Sequence, residues 1–209
     1  MKVAFILPAI GKKKNQPYIR TWQIMEPLTI STLKALTPDD IETEFYDDRV
    51  ELINYDSDSD LIAITTEVYT ARRAYYIASE FKKRGKTVVF GGYHATLMPR
   101  ESLKYGDAVV IGNAESVWED VLEDYRNGEL KTTYRGFPVF HNIHPDRSIF
   151  TGKKYSQLGV VETGRGCSFR CEFCAISSYY DGCYTRKPVD IVIEDLKQAR
   201  AAGKKVFFF

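Results

Sequence analysis

The sequence predicts an α/β protein built on a parallel, doubly wound sheet. Short apolar runs rich in β-branched and aromatic residues alternate with longer stretches of helical period, the order that strand–helix–strand units produce. Several runs are closed by glycine or polar residues, at Pro8, Asp47-Asp48-Arg49, Thr65-Thr66-Glu67, Gly91-Gly92-Tyr93-His94 and Gly112-Asn113-Ala114-Glu115. In a parallel sheet such closures fall beyond the carboxyl ends of the strands, where open α/β sheets bind ligands.

Residues 2–7 are short, continuous and apolar, as a strand buried on both faces is. Residues 8–25 form a long connection rich in Lys, Gly, Asn and Pro, and loops of that length inside a compact domain are functional or disordered. A helix is expected over 28–36, stopped by Thr37-Pro38. Residues 41–46 alternate apolar and charged, which suits an edge strand, and 61–65 are again continuously apolar. The helix expected at 70–84 places Ala74, Ile77, Ala78 and Phe81 on one face and ends at Gly85. Strands follow at 87–90 and 108–111, and a helix at 115–126 carries Val117, Val121 and Tyr125 along one side before Asn127-Gly128.

From 129 to 158 no period holds, and this stretch reads as a linker. His141 and His144 lie on no expected helix, so they do not read as a metal pair. A strand at 159–163 leads into Gly164-Arg165-Gly166, where Arg165, like Arg170 further on, reads as an ordinary loop cation. Residues 189–201 form a helix with Val189, Val192, Ile193 and Leu196 as its stripe, Pro188 ahead of it and Gly203 behind. A further strand begins at 205–209 and ends in three phenylalanines. An apolar parallel strand needs a neighbour, so the chain is expected to be a fragment of a longer protein or to be completed by another chain. The expected division is 1–128, a linker at 129–158, and 159–209.

The hydrophobic fraction of 44% supports a core, and a net charge of +1 argues against a nucleic-acid binder driven by bulk charge. No apolar run approaches the ~18 residues that a membrane span needs. Nothing at Met1-Lys2 reads as a signal peptide, and thiols kept reduced suit the cytoplasm. No G-x-G-x-x-G follows the first strand, which disfavours a dinucleotide.

The densest chemical signal is Gly166-Cys167-Ser168-Phe169-Arg170-Cys171-Glu172-Phe173-Cys174, a C-x-x-x-C-x-x-C run with an aromatic residue before its last cysteine. Thiolates bunched on one loop can wrap an iron–sulfur cluster, and three of them leave one iron of a four-iron cluster without a protein ligand. A zinc site with Cys183 as fourth ligand is the alternative, but structural zinc sites use paired C-x-x-C knuckles separated by a longer loop. A disulfide framework fits poorly with so few cysteines and no secretory signal.

This cysteine loop resembles that of the radical S-adenosylmethionine (radical SAM) superfamily. The resemblance implies a four-iron four-sulfur cluster on Cys167, Cys171 and Cys174, S-adenosylmethionine on the open iron, and its reductive cleavage to a 5′-deoxyadenosyl radical. It also implies Phe173 against the adenine and an external electron donor such as flavodoxin or ferredoxin.

Residues 1–128 resemble the cobalamin-binding domain placed ahead of some radical SAM domains. The likeness rests on Gly91-Gly92-Tyr93-His94-Ala95-Thr96 with Pro99, on Ile111-Gly112-Asn113-Ala114-Glu115, and on Pro145-Asp146-Arg147. It implies a Rossmann-like (flavodoxin-like) domain followed by the first part of a radical SAM partial (β/α) barrel. Implied cobalamin contacts are Thr65, Thr66, Gly91, Gly92, Tyr93, His94, Gly112, Asn113 and Glu115. Many cobalamin domains carry an Asp-x-His-x-x-Gly motif whose histidine ligates cobalt. Here the histidine position falls on Arg49, a permanent cation that cannot ligate a metal, and His94 is expected to hydrogen-bond the cofactor tail or nearby backbone instead.

The resemblance as a whole implies a cobalamin-dependent radical SAM enzyme acting on a small molecule, favouring methyl transfer to an unactivated carbon or phosphinate centre. No side chain is singled out as a catalytic acid, base or nucleophile. Cyclisation or rearrangement by the same architecture, and a non-catalytic cobalamin-binding module, stay open. A methylthiotransferase is disfavoured because residues 1–166 contain no cysteine.

Overall fold

The computed structural model of this chain describes residues 1–10, 24–137, 143–180 and 182–209. Residues 11–23 of the long connection, and His141, lie outside them.

The expected doubly wound sheet is present. Six strands, β1 (Lys2–Leu7), β2 (Glu42–Asp47), β3 (Leu61–Thr65), β4 (Thr87–Gly91), β5 (Ala108–Gly112) and β6 (Thr133–Gly136), lie in the order β2-β1-β3-β4-β5-β6. Every pairing is parallel. Strand β2 is the edge that its alternating pattern suggested. Because side chains alternate along a strand, Val3, Phe5, Leu61, Ala63 and Val89 face helices α1 (Leu28–Ala35) and α5 (Trp118–Asn127). Ala4, Ile6, Ile62, Ile64 and Phe90 face the opposite layer, helix α2 (Ala71–Lys82). At the end of α1 the buried Trp118 indole donates to Thr37 Oγ1 at 2.9 Å, and that hydroxyl donates to the Leu33 carbonyl at 2.7 Å. The Thr37-Pro38 stop thus becomes a tie between helices.

Within the sheet one stretch differs from expectation. The segment read as a patternless linker contributes β6, in register with β5 from Val109↔Thr133 to Gly112↔Gly136. Only Tyr134 of that strand is buried, so its sequence carries no strand period. The run after β4 opens helix α3 (Tyr93–Leu97), and Pro99 starts the one-turn helix α4 (Pro99–Ser102).

In the remaining part, β7 (Leu158–Val160) ends before the expected residue 163 and pairs in parallel with β10 (Val206–Phe208). Strand β8 (Gly164–Gly166) pairs antiparallel with β9 (Tyr184–Arg186), which the sequence did not suggest. Helix α6 (Ala175–Tyr180) follows the cysteines, and α7 (Val189–Ala201) lies where its stripe placed it. Among the described residues no helix is long and apolar enough to cross a membrane.

The two parts meet at the buried guanidinium of Arg147. It donates to Glu26 at 2.9 Å, to Asp195 on α7 at 2.9 and 3.2 Å, and to the Val160 carbonyl on β7 at 2.8 Å. Lys204 completes the group by pairing with Glu26. These four side chains are between 4 and 8% exposed. Removing one member of such a group leaves a buried charge without its partner, which costs about 3–5 kcal/mol. Arg147→Met should lower the unfolding free energy by that amount in urea denaturation. A loss below about 1 kcal/mol, the range of exposed pairs, would show that this hub does not hold the parts together.

Candidate functional site

Strands β1, β3, β4 and β5 run the same way, so their carboxyl ends share one edge of the sheet. At that edge the backbone is tightly tied. The Thr66 amide donates to the Gly91 carbonyl at 2.8 Å and the His94 amide to the Thr66 carbonyl at 2.9 Å. Thr96 Oγ1 donates to the Gly92 carbonyl at 3.0 Å and accepts from the Gly112 amide at 2.9 Å. Gly92 has a φ of +91°, and a Cβ there would lie 2.7 Å from the Thr66 nitrogen. Gly112 has a φ of +86°, and its Cβ would meet the Gly136 carbonyl at 2.3 Å. Both positions therefore require glycine, for conformation and for space.

This edge forms one wall of a cavity of about 260 Å³. Thr65, Glu67, Gly92, Tyr93, Gly112, Asn113 and Glu115 line it from the sheet side, and Thr29, Thr32 and Leu33 from α1. The opposite wall belongs to the cysteine-bearing part, through Glu162, Arg165, Ile176, Tyr179 and Tyr180. An apolar slot continues between the sheet and α1, past Gly91 and down to Phe5 and Trp118. The Tyr93 hydroxyl and the Asn113 side-chain nitrogen are buried with no hydrogen-bond partner among the described residues. Buried polar groups are rarely left so, and both residues line the cavity. The Glu67 carboxyl is held above its ordinary range by burial, which the field of His94 only partly offsets.

Of the expected contacts, Thr65, Gly91, Gly92, Tyr93, Gly112, Asn113 and Glu115 are thus brought to the cavity or its slot. Two are placed elsewhere. Thr66 is fully buried beneath the edge. His94 turns to the α2 layer, where its Nε2 lies 2.9 Å from the Tyr75 hydroxyl and 3.5 Å from Glu101. The acidic pair after β2 is engaged internally. Asp48 binds Arg73 at 2.7 and 2.8 Å and accepts from the Ala9 amide at 3.0 Å. Asp47 binds Arg49 at 2.7 Å and accepts from the Tyr155 hydroxyl at 2.8 Å. Burial, then the charge of Asp47, pushes the Tyr155 hydroxyl far above its usual range.

The three cysteines occupy the loop between β8 and α6. Cys171 is exposed, and Cys167 and Cys174 are half-buried. Gly166 precedes them with a φ of +84°, and a Cβ there would lie 2.0 Å from the Cys183 carbonyl oxygen. That same carbonyl accepts from the Cys167 amide at 3.1 Å, so Cys183 supports the loop through its backbone. The Cys174 amide donates to the Cys171 carbonyl at 3.0 Å. The Cys174 thiol is held below its ordinary range by the amides of Ser177 and Ile176. Phe173 is 92% exposed and Phe169 71%.

Among the described residues no three His, Cys, Asp or Glu side chains gather closely enough for one metal ion. An iron–sulfur cluster takes one thiolate on each iron, and three thiols on one loop are a donor set of that kind.

Several cavity residues were not legible beforehand. Thr29 and Thr32 lie on a helix read from its extent and its Thr37-Pro38 stop, with no role given to its polar positions, and Tyr179 and Tyr180 on a helix too short to show a period. Arg165 is no ordinary loop cation. Its side chain is 17% exposed and pairs with Glu115 across the cavity and with Glu162 at 2.6 and 3.0 Å. Tyr179 stacks on Tyr93, ring centroids 5.1 Å apart, and its hydroxyl donates to Asn113 at 3.3 Å.

No protein-family model matches the chain. In sequence it is 34% identical over 194 residues to bacteriochlorophyllide d C-8(2)-methyltransferase of Chlorobaculum tepidum, covering 87% of this chain and 42% of the relative. It is 30% identical over 208 residues to bacteriochlorophyllide d C-12(1)-methyltransferase of the same organism, covering 94% and 46%. The chain therefore spans less than half the length of these curated relatives. In structure it matches the radical S-adenosylmethionine methyltransferase TsrM from Kitasatospora setae, solved with tryptophan substrate and a SAM analog. That match has a TM-score of 0.73 and covers 97% of this chain and 46% of that one. At 15% identity it speaks for the fold.

The glycine pair at the cavity edge separates two physical effects. Gly92→Ala should cost about 1–3 kcal/mol, the strain of a side chain held at positive φ. Gly91→Ala meets nothing within 4 Å and should stay within about 0.5 kcal/mol. Urea unfolding of both variants measures this, and equal effects would contradict the edge geometry.

Proposed function

From its membership of the radical SAM superfamily, we propose that this chain is the N-terminal portion of a cobalamin-dependent radical SAM methyltransferase. The cluster sits on Cys167, Cys171 and Cys174, and the corrinoid enters the cavity at the carboxyl edge of the sheet. One observation carries the reading. The part that bears the thiols and the part that bears the glycine-lined edge are opposite walls of a single cavity.

When bound, the cluster with S-adenosylmethionine supplies a carbon-centred radical and the corrinoid a transferable methyl group. The chain's own contribution is binding and orientation. Gly92 and Gly112 let the backbone approach the ligand closely. Tyr93 and Asn113 offer it their unpartnered polar atoms. Phe173 presents an exposed ring beside the thiols for the adenine. Arg49 is paired with Asp47, so the loop after β2 supplies no histidine to cobalt, and His94 is engaged through Nε2 with Tyr75. An external donor such as flavodoxin or ferredoxin reduces the cluster. The substrate is a small molecule methylated at carbon. The two Chlorobaculum relatives are named for a bacteriochlorophyllide, which makes that class the first to try.

Anaerobic reconstitution with iron, sulfide and hydroxocobalamin tests both assignments. It should load about four irons per chain with a corrinoid. Joint replacement of Cys167, Cys171 and Cys174 by Ala should abolish the iron and spare the cobalt. Iron without cobalt would leave a radical SAM protein whose sheet edge binds something else. Zinc in place of iron would sink the central claim.

A further inference from the structure

Arg165 and Glu115 come from opposite walls of the cavity. Glu115 stands just past β5, and Arg165 lies on β8, two residues ahead of Cys167. The pair is largely shielded, with side chains 17 and 11% exposed. The Arg165 fork is occupied by carboxylates on two sides. Its Nε and Nη2 lie on Glu162 at 2.6 and 3.0 Å, and its Nη1 pairs with Glu115. Lys187 balances the group, 3.2 Å from Glu162. A guanidinium engaged in this way fixes direction as well as distance. Beside it, the Tyr179 contacts with Tyr93 and Asn113 join the same two walls. The segment that enters the thiol loop is therefore held to the end of β5.

We propose that Arg165 is a positioning residue that, through Glu115, fixes the thiol-bearing loop to the end of β5 and thereby couples occupancy of the loop to occupancy of the cavity. Glu115 then serves as the anchor for this contact. The first half of the proposal rests on the geometry alone, and the coupling rests on the corrinoid reading given above.

Two measurements separate the halves. Hydrogen exchange on the cofactor-free chain reads the first. Arg165→Gln should speed exchange in residues 112–117 as well as in 164–174, and Glu115→Gln should do the same. The double variant should add little to either single one, as groups sharing one interaction behave. Arg165→Lys should restore part of the protection. Exchange at 112–117 unchanged in both single variants would overturn the positioning role, and circular dichroism guards against general unfolding.

Hydroxocobalamin titration with and without reconstituted cluster reads the second half. Loading the cluster should tighten cobalamin binding by about fivefold or more, the usual span of coupled sites. That ratio, taken between the cluster-loaded and cluster-free forms of the same variant, should fall to about one in Arg165→Gln. A ratio unchanged in Arg165→Gln, or already about one in the parent chain, would overturn the coupling. A parent chain that binds no cobalamin in either state would overturn the coupling and the corrinoid reading together, and hydrogen exchange would still decide the positioning role.

Discussion

The chain is made one body by a buried charge that it cannot leave alone. Arg147 is 6% exposed and, among the described residues, is satisfied by groups from three other segments: Glu26 ahead of α1, Asp195 on α7 and the carbonyl of Val160 on β7. A guanidinium withdrawn from water is costly unless each of its donors finds an acceptor. The arrangement therefore selects one relative placement of the parallel sheet and the part that follows it. The ring contact of Phe150 with Phe45, centroids 5.9 Å apart, adds apolar burial to the same junction. Together they place the cysteine loop opposite the carboxyl edge of the sheet.

What that edge offers depends on where its charges are used. Asp47, Asp48, Arg49 and Arg73 lie close to the strand ends, yet their pairings are internal. Glu115 and Arg165 neutralise one another across the cavity. The wall thus presents glycine backbone, hydroxyls and amides beside the carboxyls of Glu67 and Glu162. Arg165 is engaged by carboxylates, and the Tyr93 hydroxyl and Asn113 nitrogen have no partner among the described residues, so the wall is built for hydrogen bonds more than for gripping a phosphate with cations.

The sequence was most legible where one residue's own physics sets the structure. Gly92 and Gly112 were marked by position, and the structure gives the reason in positive φ and absent Cβ space. The edge role of β2 followed from alternation, and the burial of β1 and β3 from its absence. Partners distant in the chain were not legible. His94 is oriented by Tyr75, nineteen residues away, and Glu115 by Arg165, fifty away, and no local pattern announces either. Strand β6 was missed because pairing with β5, not its own period, makes it a strand. Helix α6 was missed because six residues are too few to show a helical face.

These long-range partners account for how a flexible cysteine run acquires a fixed place. The segment from β7 through β8 is held at one end by the Val160 carbonyl on Arg147 and at the other by Arg165 on Glu115. Between them Glu162 binds Arg165 and Lys187. A short segment tied at one end to the Arg147 group and at the other to the end of β5 has little freedom left to pivot about either tie. Cys167 begins immediately beyond the second tie, with its amide on the Cys183 carbonyl. The approach to the first thiol is therefore tied to distant parts of the chain through two arginines, in addition to the local contact of Cys167 with Cys183.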